Sequence, residues 1–338
     1  MASEIWPMDA MEAVASCPYC GAMERALAFG DVEDWAFACA PGLWQYWDCT
    51  HCNALYLHPR PTPASIGNAY RHYYTHAAPA NAHRLVSALK QRVRNELWSQ
   101  TWKASIAPRL GLPHWLGWTV AWLKPFTAEP FGLRQWAQRP KGMLIDVGCG
   151  NGDKLSLAAR LGWRTLGIEM DASAVQAAKA QGLNVEHGGY ELLVRYQGQA
   201  DCVVCSHVLE HVHQPLELLH LLLASLKPQG VLLLSVPNAS SHLRRHYGKY
   251  WRGLEAPRHL AIPDSNWLMA WLRAQGFQCT QVPSYDLETA LESERMRRKG
   301  NSVEAADLRA ARALLSQLGR PAMAQQDILQ LVCERARS

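Results

Sequence analysis

From residue 142 the chain alternates short apolar runs with longer stretches whose apolar residues recur at helical spacing. MLIDV, RTLGIEM, LNVEHG, DCVVCSHV, VLLLSVPN and FQCTQVPSYD read as strands. Between them KLSLAARLG, DASAVQAAKAQG, PLELLHLLLASL and SNWLMAWLRAQG read as helices. Asp171 or Ser173 suits the N-cap of the second, and Gly182 its stop. The alternation predicts an α/β fold, a mostly parallel sheet with helices on both faces. Residues 287–324 are charged and alanine-rich, which predicts helix, and DILQLVCER predicts one more strand after them.

Upstream the pattern differs. Residues 1–75 show little helical periodicity, and prolines at 59, 61 and 63 argue against regular structure at their end. Leu85, Leu89, Val93 and Leu97 recur every four residues, so 80–107 is predicted helical. Residues 108–140 read as short helices and turns, rich in tryptophan. Three parts are expected: a small module over 1–75, a helical, Trp-rich connector or lid over 76–140, and an α/β domain over 141–338. The last carries a helical insertion at about 287–324.

The chemistry concentrates where the first of these strands ends. LIDVGCGNGD puts Asp146, Gly148, Gly150 and Gly152 between that strand and the next helix, where open α/β sheets bind ligands. Glycine there lets a ligand approach the backbone. The spacing is not the dinucleotide G-x-G-x-x-G, and no Lys-Ser/Thr pair follows as in a P-loop. A carboxylate two residues before the first glycine suits a cationic ligand better than a pyrophosphate. Glu169, ending GIE, sits where a carboxylate can accept from two ribose hydroxyls. A ribose, a positive centre and no phosphate describe S-adenosylmethionine.

With LIDVGCGNGDKL, LGIEMDASAVQAAKAQGL, DCVVCSHVLEHVHQP, LLASLKPQGVLLLSVPN and YWRGLEAPRHLAIP in this order, the chain resembles a class I S-adenosylmethionine-dependent methyltransferase. It is similar to the bacterial branch with an N-terminal zinc-ribbon-like cysteine module. The resemblance covers roughly 141–285 and implies a Rossmann-like seven-stranded sheet whose last strand is reversed. It also implies a cofactor floor of Asp146, Gly148, Cys149 and Gly150, with Glu169 on the ribose and Met170 on the adenine. Ser206 and His207 would close the site. Gly189 stands where the family often has an acid for the adenine amine. Cys149 lies inside the loop with no basic neighbour and reads as a space-filling residue, not a nucleophile.

A hydroxyl acceptor needs a base near neutral pH, which histidine supplies. SHVLEHVHQP offers His207, Glu210, His211 and His213, and PRHL offers Arg258 and His259. The candidates for the base are His207, His211 and His259. A divalent metal on Glu210 and a histidine, or a purely structural role for this loop, are the alternatives. Arg258 is a candidate for holding an anionic acceptor, and Trp251 and Tyr74 for stacking on an acceptor ring.

Two cysteine pairs, CPYC and CTHC, put Cys17, Cys20, Cys49 and Cys52 in a C-x2-C, 28 residues, C-x2-C pattern. Four thiolates so spaced suit a structural Zn2+. Cys202 and Cys205 also spell CxxC, but on a strand an odd separation sends them to opposite faces.

Composition narrows the partners. With 49% hydrophobic and 19% charged residues the chain is globular. A net charge of +5, with basic residues dispersed, argues against nucleic acid. No basic-then-apolar leader opens the sequence, so a cytoplasmic protein is expected, with its ten cysteines as thiols or metal ligands. WLGWTVAWL is too short to span a bilayer, though a tryptophan face there would suit a lipid-linked acceptor at a membrane surface. The expected function is methyl transfer to a small-molecule or carrier-linked acceptor, at oxygen. The alternatives are a sugar C-methyltransferase and a zinc-ribbon-docked RNA or protein methyltransferase. Oligomeric state is not legible.

Overall fold

The apolar runs of the C-terminal two-thirds form strands, and several more lie upstream. The computed structural model describes residues 6–70, 84–113, 130–284, 286–319 and 321–336. Its strands in chain order are β1 (Met11–Glu12), β2 (Arg25–Val32), β3 (Trp44–Cys49), β4 (Leu55–Leu57) and β5 (Arg60–Pro61). Then come β6 (Met143–Val147), β7 (Arg164–Glu169), β8 (Val185–His187), β9 (Ala200–Ser206) and β10 (Leu226–Pro237). The series ends with β11 (Ala261–Ile262), β12 (Phe277–Val282) and β13 (Ile328–Arg335). One seven-stranded sheet runs in the order β12-β13-β10-β9-β6-β7-β8. It is the Rossmann-like mixed sheet expected, and DILQLVCER supplies its reversed strand: β13 is antiparallel to both β10 and β12.

Contacts divide the chain into two units, one of Thr75–Val204 with Ser225–Gly230, the other of Met1–Tyr74, Cys205–Ala224 and Val231–Ser338. In the first unit β6, β7 and β8 are parallel neighbours. Leu144, Ile145 and Val147 are buried, as a strand covered on both faces requires. The helix Ala172–Ala180 starts at Asp171, whose carboxylate accepts from the Ser173 and Ala174 amides. The expected helix upstream spans Arg84–Trp102. Trp115, Trp118 and Trp122, on which the membrane-surface expectation rests, lie outside the described residues, as does Tyr74. No helix among the described residues is long and apolar enough to cross a membrane.

The second unit contains an antiparallel sheet of order β11-β4-β3-β2 within residues read from the sequence as loop. Bulges break the β2–β3 register between Leu27 and Phe29 and between Phe29 and Val32, which blurs the alternation a strand should show. Trp44, Tyr46, Leu55 and Leu57 share one buried cluster with Leu254, Leu260, Ile262 and Ala290. The cysteine-bearing strands therefore pack against the segment that follows β10.

Cys279 and Cys333, expected to be thiols, are joined by a disulfide. They are direct register partners on β12 and β13, a pairing that residues 54 apart in sequence do not announce. The remaining eight cysteines form no disulfide. Cys202 and Cys205 are both fully buried, as expected of thiols inside a covered sheet.

Candidate cofactor loop and histidine cluster

The glycine loop turns sharply after β6. Gly148, Gly150 and Gly152 take φ of 69°, 55° and 84°, a region where a side chain would be strained. The Gly148 amide donates to the Ile168 carbonyl at 2.8 Å, tying the loop to β7. Glu169, at the end of β7, is fixed by two backbone donors: one carboxylate oxygen accepts from Gly150 N–H at 2.8 Å, the other from Asp171 N–H at 2.9 Å. Lone pairs remain on both oxygens. Asp146 is 1% exposed, and neither of its carboxylate oxygens has a hydrogen-bond partner. Burial pushes it up to about 6, with Lys154 opposing and Glu169 adding to the rise. A buried carboxylate without protein donors is costly, and burial rather than a charge partner sets its proton affinity.

Cys149 is buried, and burial, with Asp146 and Glu169 close by, pushes its thiol up to about 12. That disfavours the thiolate a nucleophile would need. Its sulfur fills the space over Gly167, where an added Cβ would come within 2.5 Å of it. Gly167 was not singled out in the sequence; a glycine inside a strand was the available signal of this close approach. Met170, expected over the adenine, is 72% exposed.

Ser206 and His207 belong to the other unit. His207 has φ of 56°, and its Nδ1 lies 3.1 Å from a carboxylate oxygen of Glu210. Glu210 is fully buried, and its second oxygen has no partner. Burial would raise its carboxyl, but the His207 hydrogen bond and the nearby His211 and His259 hold it below its ordinary value. His211 Nδ1 lies 2.9 Å from the Tyr70 hydroxyl and 3.1 Å from the Arg258 carbonyl. His259 Nδ1 lies 2.7 Å from the Gly253 carbonyl. A carbonyl only accepts, so the Gly253 contact makes His259 Nδ1 a donor, while its Nε2 lies 3.7 Å from a Glu255 carboxylate oxygen. The rings meet edge-on, 4.6 Å between centroids. One ligand atom each of Glu210, His211 and His259 lies within 4.8 Å of the others. Burial pushes His259 down to about 4.

Arg258, a candidate for holding an anionic acceptor, has its guanidinium already committed to partners within the protein. It is 0% exposed, with its guanidinium 2.6 Å from Asp34 and 3.2 Å from Glu255 and a further bond to the Ala69 carbonyl. Trp251, a candidate for stacking on an acceptor, is likewise buried, its indole N–H donating to Asp327 at 2.7 Å. Breaking a buried pair leaves charge uncompensated. Arg258→Ala is expected to cost about 3–5 kcal/mol in urea unfolding, because Asp34 and Glu255 lose their shared cation. Arg258→Lys should recover little of that, lacking the planar fork. A loss under about 1 kcal/mol, the size of an exposed pair, would remove the network from the stability argument.

The cysteine pairs converge as the spacing suggested. Cys17 and Cys52 sulfurs are 3.5 Å apart, as are those of Cys20 and Cys49, and all four lie within 4.8 Å of one another. The knuckles match in backbone too: Gly21 N–H donates to Cys17 O and Asn53 N–H to Cys49 O, each at 3.0 Å, with φ of 75° and 59°.

Residues 124–282 match a family model described as a methyltransferase domain. The chain is 32% identical over 124 residues to a ubiquinone biosynthesis O-methyltransferase of Erwinia tasmaniensis, covering 33% of this chain and 51% of that protein. It is 32% identical over 106 residues to the enzyme of the same name from Xanthomonas campestris pv. campestris, covering 29% and 44%. The chain thus spans about half the length of the curated relatives it matches. Among solved structures, a SAM dependent methyltransferase from Archaeoglobus fulgidus aligns with a TM-score of 0.42 at 18% identity, over 70% of this chain and 98% of that one. Over residues 124–282 the chain is thus similar to methyltransferase domains.

Proposed function

We propose that the chain is an S-adenosylmethionine-dependent O-methyltransferase acting on a small-molecule or carrier-linked hydroxyl. The observation that carries the reading is Asp146, a buried carboxylate without a donor, beside a Glu169 carboxylate already fixed on the Gly150 amide. Asp146 with Gly148, Cys149 and Gly150 would hold the amino-acid end of the cofactor, and Glu169 would accept from its ribose hydroxyls. Met170 would cover the adenine; Ser206 and His207 are assigned to the rim. Bound S-adenosylmethionine supplies an electrophilic methyl group on a sulfonium. The protein's share is then alignment and deprotonation of the acceptor.

His211 is the base in this reading. Its Nδ1–H is committed to the Arg258 carbonyl, so Nε2 is free to take the hydroxyl proton, and the Glu210 carboxylate beside it favours the imidazolium that results. His259 is pushed down by burial, which makes it the less suitable base. The relatives' name points to an oxygen acceptor on a quinone precursor, and we extend to this chain only the oxygen. Cys17, Cys20, Cys49 and Cys52 would hold a structural zinc, which performs no chemistry.

A second reading rests on the unpartnered Glu210 oxygen. With the Nε2 atoms of His211 and His259 it forms a carboxylate–imidazole set suited to manganese or zinc, each imidazole fixed through Nδ1 by a carbonyl. There the histidines would orient a cation that lowers the acceptor's pKa.

The test is transfer of labelled methyl from S-adenosylmethionine to phenols with adjacent hydroxyls, with Glu169→Ala and His211→Gln alongside. Glu169→Ala should lose cofactor binding. His211→Gln should bind the cofactor normally and lose about 100-fold or more in kcat. Loss of activity on chelation, restored by manganese while one zinc stays bound, selects the second reading. A wild-type chain with no cofactor adduct in native mass spectrometry and no thermal shift overturns the function.

A further inference from the structure

The cysteine-bearing sheet and the histidine cluster lie in the same unit, and the polar contacts between them converge on one short segment, 254–262. We infer that Tyr46 is a positioning residue for His259, and through the adjoining backbone for Glu210 and His211, so that the cysteine knuckles set the geometry of the histidine cluster. The inference rests on the proposed function only for its kinetic arm.

Tyr46 lies on β3, three residues before Cys49, and is fully buried. A buried tyrosine hydroxyl must find an acceptor. This one faces two carbonyls, those of Leu254 at 2.6 Å and His259 at 2.9 Å. It therefore fixes the backbone on both sides of the Glu255–Arg258 turn. Glu255 in that turn has φ of 37°, a conformation that persists only where the surroundings impose it. Two further ties come from the knuckles. Tyr19, between Cys17 and Cys20, donates to the Ala261 carbonyl at 3.1 Å. Strand β4, which begins three residues after Cys52, pairs with β11 through Tyr56↔Ala261 and Leu55↔Ile262. The last step is the Leu260 N–H, which donates to the Glu210 carbonyl at 2.7 Å. A displacement of 254–262 thus reaches all three ligand-bearing residues.

Tyrosines that were merely packing would serve the core as phenylalanines. Their hydroxyls instead end on the backbone next to His259 and β11, where an error of a few tenths of an ångström becomes a misplaced imidazole. Positioning errors of that kind lower turnover without lowering affinity.

The experiment compares the full chain with Tyr46→Phe, and with Tyr19→Phe should the first fail to fold. Zinc content, KM for cofactor and acceptor, kcat, and hydrogen exchange at the Leu260 amide are measured. The expected result is one zinc per chain, KM values within about twofold, kcat lowered about tenfold or more, and faster exchange at Leu260. Unchanged kcat overturns the inference, even with a lower melting temperature, since the hydroxyl would then serve stability alone. A rise in KM with kcat intact also overturns it. If the wild-type chain turns over no acceptor, the proposed function fails separately, and exchange decides: Leu260 protection retained in the variant removes the positioning role.

Discussion

Asp146→Asn is expected to make the unliganded protein more stable at pH 7 and to abolish S-adenosylmethionine binding. Both effects follow from one buried carboxylate. Burial holds the folded-state value at about 6, well above that of an aspartate in an unfolded chain. The folded state therefore binds the proton more tightly than the unfolded state does. The stability this contributes is complete below about pH 4 and is lost as pH rises through about 6. At pH 7 the shift amounts to about 3 kcal/mol of destabilisation. Asparagine carries no charge at any pH, but its amide is buried without partners too, so the net gain should be about 1–2 kcal/mol. Urea unfolding of both proteins across pH 4 to 8 measures it: the wild-type curve should fall with pH where the variant's stays flat. Cofactor affinity moves the opposite way. The cation needs the ionised acid, so wild-type binding should weaken about tenfold per unit below pH 6, and calorimetry should find no binding in Asp146→Asn. The two outcomes together would make Asp146 a residue at which stability is given up for function. A variant less stable than wild type at pH 7, or one that still binds the cofactor, would dissociate Asp146 from the site.

What the chain discloses before folding divides along a physical line. Features encoded within a few residues were legible. The strand–helix alternation from 142, the acid and glycines of LIDVGCGNGD and the two CxxC knuckles each report a local requirement of period, φ or ligand spacing. Features made by contacts across one to two hundred residues were not. Arg258 reads locally as a free cation, yet its partner Asp34 lies 224 positions away. Nothing near Tyr46 or Tyr70 in sequence announces that their hydroxyls end at the His259 carbonyl and the His211 ring. Strand β11 is two residues long and has no pattern of its own; it exists because β4 offers an edge. The disulfide belongs here too, since only the antiparallel register of β12 and β13 brings Cys279 to Cys333. Strands β2 and β3 failed for a different reason. Their bulges shift the alternation out of phase, so a local signal was present but scrambled. Gly167 lies between the cases: its strand was legible, but the Cys149 sulfur that demands a glycine sits 18 residues back in the chain.

Cys52→Ser is expected to strip the metal proposed for the knuckles and to unfold much of the unit that contains them. In a tetrahedron of thiolates at about 2.3 Å from zinc, neighbouring sulfurs lie about 3.8 Å apart. The 3.5 Å separations of Cys17–Cys52 and Cys20–Cys49 are close to that and far from the 2.05 Å or so of a disulfide. The Cys52 thiol beside it holds Cys17 below its ordinary value, so one ligand already favours the thiolate. A structural zinc site is worth about 10–16 kcal/mol of apparent binding free energy, comparable to the whole stability of a domain. Around the knuckles Cys17, Tyr19, Cys49, Cys52 and Ala54 are buried, so losing the metal would expose a packed region as well as a ligand set. Serine at position 52 removes one ligand, and the other three sulfurs then repel or oxidise. Elemental analysis should find one zinc in wild type and none in the variant, with a melting temperature lower by about 10 °C or more. Cys202→Ser, at a buried thiol in the other unit, controls for a generic cysteine effect: it should lose stability but keep its zinc. Full zinc in Cys52→Ser would mean that three thiolates and a water suffice, and the closed structural site would have to be abandoned. A metal-free wild type with four titratable thiols would leave the knuckles held by their turns alone, and the melting temperature of Cys52→Ser would then stay close to that of the parent.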